Sequence, residues 1–146
     1  ALSLLVDTSV WSLAFRHNQP ADLPQMRALG QALGNGEVFS TGIILQELLH
    51  GFNRPRAGER IVSHFRAIPL LVPDRSDYEN AADLHNLCRR KGVQTGTIDS
   101  LLAQLCIRHD LKLLTTDKDF HQISKNRSVA VVGMNAGGGE HYLTEI

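Results

Sequence analysis

The sequence predicts an α/β fold: a three-layer α/β/α sandwich around a central, mainly parallel sheet of four or five strands. Short apolar runs recur at Leu2–Val6, Val38–Ser40, Leu70–Val72, Leu113–Thr115 and Val129–Val132. Segments with helical periodicity separate them, and strands alternating with helices build parallel βαβ units. The first run is nearly continuous rather than alternating, as in strands covered on both faces. It stops at a carboxylate, Asp7, on the edge where open α/β sheets bind ligands.

The first helix is expected just after Asp7, with Thr8 or Ser9 as its cap. Asn18 to Pro24 is polar, holds two prolines and reads as a loop. A helix from about Gln25 to Leu33 ends at Gly34-Asn35-Gly36, and another runs from about Gly42 to His50. Asn53-Arg54-Pro55 reads as a turn, and Gly58 to Ala67 places Ile61, Val62, Phe65 and Ile68 on one side. Ser76 followed by Glu79 has the spacing of a capping box. The helix it would start carries the apolar stripe Ala81, Leu84, Leu87 and Cys88 and stops at Gly92. Thr97 to His109 is the last long helix. From Asn135 onward there is no sustained periodicity, and Gly137-Gly138-Gly139 should be flexible. Residues 1–134 are therefore expected to form one domain, and residues 135–146 a glycine-containing C-terminal tail.

At 146 residues and 42% hydrophobic the chain is long enough to bury a real core. No apolar run approaches the ~20 residues of a membrane span. The N-terminus shows no basic-then-apolar leader pattern. Cys88 and Cys106, on different predicted helices, are too few for a disulfide framework. A cytoplasmic protein is expected. Basic and acidic residues balance at 15 each. If four acids belonged to a metal site, the remaining surface would be mildly basic and suited to a phosphate-rich partner.

Four acids stand out by position. Asp7 ends the first apolar run, and Asp117 follows Leu113–Thr115 in the same way, with Asp119 two residues on. An Asp after a strand also serves as a turn or cap residue, so each is weak evidence alone. Glu47 falls at the edge of the apolar arc of Ile43, Ile44, Leu45, Leu48 and Leu49, where it is either partly desolvated or snorkels outward. Asp99 shares a helix face with Leu102, Ala103 and Cys106. First-turn electrostatics account for its place along the helix but not for that face. If the first and fourth strands are neighbours at a topological switch point, Asp7 and Asp117 come together. Clustered carboxylates repel one another unless a cation is present. An oxygen-only set suits Mg²⁺ or Mn²⁺. Such ions bind phosphates, activate water and stabilise the leaving oxygen in phosphodiester hydrolysis.

These residues, Asp7 in LLVDTSVW, Glu47 in IILQELLHG, Asp99 in TGTIDSLLAQLC and Asp117 with Asp119 in LLTTDKDF, resemble the ordered acidic motifs of the PIN domain. The likeness is nearest to the VapC-type toxins of bacterial toxin–antitoxin pairs and spans about Leu2 to Val132. It implies a metal-dependent endoribonuclease that is inhibited by a small antitoxin and often dimeric. It also implies that Asp7, Glu47, Asp99 and Asp117 hold the metal, with Asp119 as an auxiliary acid and Ser9 and Thr116 as hydroxyl support. The first strand would be central, flanked by the second and fourth. The glycine-containing tail departs from the family pattern.

Arg54, Arg56 and Arg60 are candidate RNA-backbone contacts, whereas Arg89-Arg90-Lys91 is accounted for by the helix dipole. Trp11 and Phe15, one turn apart, belong to the core or to a partner surface. Two other functions fit less well. An Asp7-nucleophile phosphatase of the haloacid dehalogenase type needs an acid two residues later, where Ser9 stands. A catalytically silent RNA- or protein-binding module is not supported, because the acids are all in place.

Overall fold

Six strands form one sheet in the order β3-β2-β1-β4-β5-β6. The structure, a computed structural model, describes residues 3–16, 23–117, 120, 123, 131–134 and 140–143. The strands are β1 (Leu4–Val6), β2 (Val38–Thr41), β3 (Leu70–Leu71), β4 (Lys112–Leu114), β5 (Val131–Met134) and β6 (Glu140–Leu143). The helices are α1 (Thr8–Phe15), α2 (Pro24–Gly34), α3 (Gly42–Gly51), α4 (Pro55–Phe65), α5 (Arg75–Arg90) and α6 (Thr97–His109).

The first five strands are parallel and β6 pairs antiparallel with β5. The expected β2-β1-β4 core of the sheet is present. Leu4 and Leu5 pair with Val38 and Phe39 on one side and with Lys112 and Leu113 on the other. The chain leaves β1 toward β2 and later returns on the other flank as β4, so the switch point lies between β1 and β4. Leu5, Val6, Leu113 and Leu114 are completely buried, and Phe120 and Ile123 pack into the same core.

The sheet exceeds the expected four or five strands because β6 lies within the last residues. Its sequence, Glu-His-Tyr-Leu, carries no apolar run that marks it as a strand. Of the three glycines, 137–139 lie outside the described residues.

Three helix starts differ from expectation, and each has a local cause. Asp7 rather than Thr8 or Ser9 caps α1, accepting from the Thr8 backbone N–H at 2.8 Å. Helix α4 begins at Pro55, not Gly58, because proline at the first helical position lacks only a donor the helix does not use. The capping box of α5 is Asp74 with Asp77, not Ser76 with Glu79. Asp74 accepts from the Asp77 N–H at 3.0 Å, and Asp77 accepts from the Asp74 N–H at 2.9 Å. The Ser76 hydroxyl donates to Asp74 at 2.7 Å and, with the Asp77 N–H and Arg108, holds the Asp74 carboxyl below its ordinary range. Gly92, at φ 80°, turns the chain after α5 as expected.

Trp11 and Phe15 are core residues. The Trp11 ring lies 4.9 Å from Phe65 and 6.0 Å from Phe15 between centroids. Both cysteines are free and buried, and burial pushes the Cys106 thiol well above its ordinary range, which leaves it unreactive. Among the described residues no helix is long and apolar enough to cross a membrane.

Candidate active site at the switch point

The site begins where β1 ends. The Asp7 N–H donates to the Leu114 carbonyl at 2.9 Å, which sets the end of β1 against the end of β4. Asp7 is 8% exposed, and its carboxylate is held by three donors. The Thr8 N–H reaches Oδ1 at 2.8 Å, while the Ser9 and Thr115 hydroxyls each reach Oδ2 at 2.9 Å. These bonds fix the carboxylate in one orientation before any ligand arrives.

Two relays extend from Asp7. The Thr8 hydroxyl donates to Glu47 Oε1 at 2.9 Å and brings the α3 acid beside the α1 cap. Glu47 is half-buried, between the two alternatives its wheel position left open. Thr41 starts α3 by accepting from the Ile44 N–H at 3.2 Å, which directs Glu47 toward this end of the sheet. On the other side, Thr115 Oγ1 accepts from the Asp117 N–H at 2.9 Å, seating the loop after β4.

The expected hydroxyl support is therefore partly reassigned. Ser9 binds Asp7, but the second hydroxyl on that acid belongs to Thr115, which is 1% exposed. Thr116 is exposed and contributes its backbone N–H, which donates to Ser9 Oγ at 3.1 Å. Thr8 and Thr115 are the residues sequence reasoning missed.

Asp99 stands on the first turn of α6, half-buried, on the same face as the buried Leu102, Ala103 and Cys106. Its Oδ2 lies close over Gly96, 3.4 Å from where a Cβ would be. Asp119 lies outside the described residues. The structure thus joins Asp7, Glu47 and the Asp117 backbone through hydrogen bonds, with Asp99 at the start of a neighbouring element. Among the described residues no three His, Cys, Asp or Glu side chains form a group that by itself could hold a metal ion.

The donors still fit a hard divalent cation. They are all oxygen, and Mg²⁺ ordinarily takes only one or two protein carboxylates and keeps water on its other positions. Asp7 and Glu47, linked through Thr8, supply that number.

The candidate RNA contacts lie beside this site. Arg54 caps α4, and Arg56 and Arg60 follow on its exposed side, with the Arg60 guanidinium 5.8 Å from the centroid of the Phe15 ring. Helix α4 packs on α3, which carries Glu47.

A parallel sheet with an oriented acid at its switch point and a second acid tied to it defines an α/β protein with an acidic site at its carboxyl edge. The PIN domain profile matches residues 4–126. The VapC ribonuclease Mb1587 of Mycobacterium bovis is 31% identical over 127 residues, covering 84% of this chain and 92% of its own. The structure of FitAB bound to an IR36 DNA fragment superposes with a TM-score of 0.73 at 20% identity, covering 89% of this chain and 94% of that one. VapBC2 from Rickettsia felis, bound to a DNA fragment from its promoter, gives 0.70 at 18% identity over 90% and 98%. The chain belongs to the PIN-domain family and, within it, to the VapC ribonucleases. That membership leaves no place for the aspartyl-phosphate phosphatase alternative.

Proposed function

We propose that this VapC-type PIN ribonuclease is a divalent-metal-dependent endoribonuclease and the toxin of a toxin–antitoxin pair. The observation that carries the reading is the hydrogen-bonded link from Asp7 through Thr8 to Glu47. Asp7 and Glu47 would hold the ion directly, with Asp99 and Asp117 completing the acidic set through intervening water. Bound there, Mg²⁺ or Mn²⁺ would neutralise phosphate charge and activate water.

The chain's own residues do the positioning. Ser9 and Thr115 hold Asp7 Oδ2, so the carboxylate does not have to reorganise during the reaction. Asp119 is an auxiliary acid. Arg54, Arg56 and Arg60 bind the RNA backbone as phosphate contacts that carry no sequence information. The oxygen of a water molecule attacks phosphorus, and the P–O bond to the departing nucleoside breaks.

The partners are a cognate antitoxin and a second copy of the chain, and the reaction takes place in the cytoplasm. The fold likeness to solved toxin–antitoxin complexes, one of them from Klebsiella pneumoniae, supports the antitoxin.

The test is cleavage of single-stranded RNA by the full-length protein. Cleavage is expected with millimolar Mg²⁺ or Mn²⁺, to be lost in EDTA, and to return when the ion is restored. Undiminished cleavage in EDTA would sink the metal mechanism.

A further inference from the structure

We propose that the cleft between α5 and α6 seats a base of the substrate RNA next to the scissile phosphate, and that Tyr78, His85 and Asn86 select it. This rests on the ribonuclease reading above. The cleft has a volume of about 410 Å³, within the range of small-molecule sites, and Ile43 of α3 closes one side.

Its place is the first argument. Ile43 stands one helical turn before Glu47 on the same face of α3. Thr97, Ile98 and Ser100 of the lining bracket Asp99 on the first turn of α6. A group in the cleft therefore lies against the two helices that carry Glu47 and Asp99, and the cleft continues the acidic site.

Its chemistry is the second. Ile43, Ala81 and Leu101 give apolar walls, while His85, Asn86 and Thr97 give polar groups at the margin. A nucleobase has this same division, with apolar faces and hydrogen-bonding edges. Tyr78, 57% exposed, offers an aromatic ring, and unpaired RNA bases stack on such rings. His85 Nδ1 lies 2.9 Å from Thr95 Oγ1, which holds the imidazole in place before a base enters.

The pattern along α5 is the third. Tyr78, Ala81, Ala82, His85 and Asn86 recur at i, i+3, i+4, i+7 and i+8 and form one stripe. The helix buries Asp77, Ala81, Leu84 and Cys88, so only Ala81 of this stripe is needed by the core. The two alanines leave the space that a larger side chain would fill.

The test is partial digestion of a single-stranded RNA pool, randomised in sequence, by the full-length protein with Mn²⁺, with cut sites read by sequencing. The wild type is expected to prefer one base or base class beside the cut. Tyr78→Ala should flatten that preference and raise KM roughly tenfold, the scale of one lost stacking contact. Tyr78→Phe should keep both, as should Glu79→Gln, an exposed position outside the cleft. Asn86→Ala, also exposed, gives a second readout if Tyr78→Ala does not fold. No base preference in the wild type, or one unchanged in Tyr78→Ala and Asn86→Ala, would overturn the proposal while the ribonuclease reading stands. So would a Tyr78→Ala protein that changes from dimer to monomer with its cut sites unaltered, because the face would then be a contact between copies. A wild type that cleaves no RNA would sink the ribonuclease reading, and the base site with it.

Discussion

Asp7→Asn is expected to lower RNA cleavage by more than about a hundredfold while the protein stays folded. Loss of an outer partner of a metal ligand already costs 10–100-fold, so loss of the ligand itself must exceed about that. Asparagine is nearly isosteric and caps helices as well as aspartate does. Its carbonyl can accept from the Ser9 and Thr115 hydroxyls, which leaves its NH₂ facing the Thr8 N–H, donor against donor. That mismatch costs about 1 kcal/mol of stability. Melting followed by circular dichroism, beside cleavage assays, separates the two effects. Thr115→Val removes one of the hydroxyls that orient Asp7 and keeps its shape, so its loss should fall in the smaller ~10–100-fold range. A fully active Asp7→Asn protein would remove Asp7 from the reaction.

The second large effect concerns stability. Arg108→Met is expected to destabilise the fold by about 3 kcal/mol. Asp77, in the first turn of α5, is completely buried and pairs with Arg108 from the last turn of α6. Its other donors are the Asp74 N–H at 2.9 Å and Gln104 Nε2 at 3.4 Å. Removing the guanidinium leaves a buried carboxylate with neutral donors alone, and an unpaired buried charge costs more than the pair contributes. At roughly 2–4 °C per kcal/mol for a chain of this size, the melting temperature should fall by about 6–12 °C. The double variant Arg108→Met/Asp77→Leu should recover part of the loss, since an apolar pair leaves no charge to desolvate. A single variant that melts with the wild type would show that Arg108 contributes nothing to the pair.

The same ion pair shows where sequence reading runs out. The βαβ alternation, the central place of β1 and the span of α6 were legible because long periodic segments and continuous apolar runs report burial directly. Asp77 was not, since its role depends on Arg108, 31 residues away, and nothing local distinguishes it from any first-turn acid. Ser76 and Glu79 match the capping-box pattern one step off the true one, and only the chain's entry angle separates the two. The choice between Thr115 and Thr116 failed for a related reason. Leu113 and Leu114 are both fully buried, so β4 has no alternation from which to read the direction of the next hydroxyl. Strand β6 was missed because an antiparallel edge strand needs no continuous apolar run.

The acids behaved differently. Asp7 and Glu47 were singled out by their positions on elements, and the structure joins them through Thr8. The bridging residue was visible in the sequence only as a possible helix cap. A short side chain between two acids becomes informative once the topology sets β1 beside α3. Thr8 is also the reason the two carboxylates are held close without a positive side chain between them.

The central claim is that the Asp7–Glu47 pair seats a divalent cation. It is tested most directly by a crystal structure of the full-length protein grown with Mn²⁺, with anomalous difference maps recorded at the manganese edge. A single strong peak is expected between the Asp7 and Glu47 carboxylates, absent from the Asp7→Asn protein. A protein that cleaves RNA yet shows no peak there, or binds its Mn²⁺ elsewhere, would contradict the account.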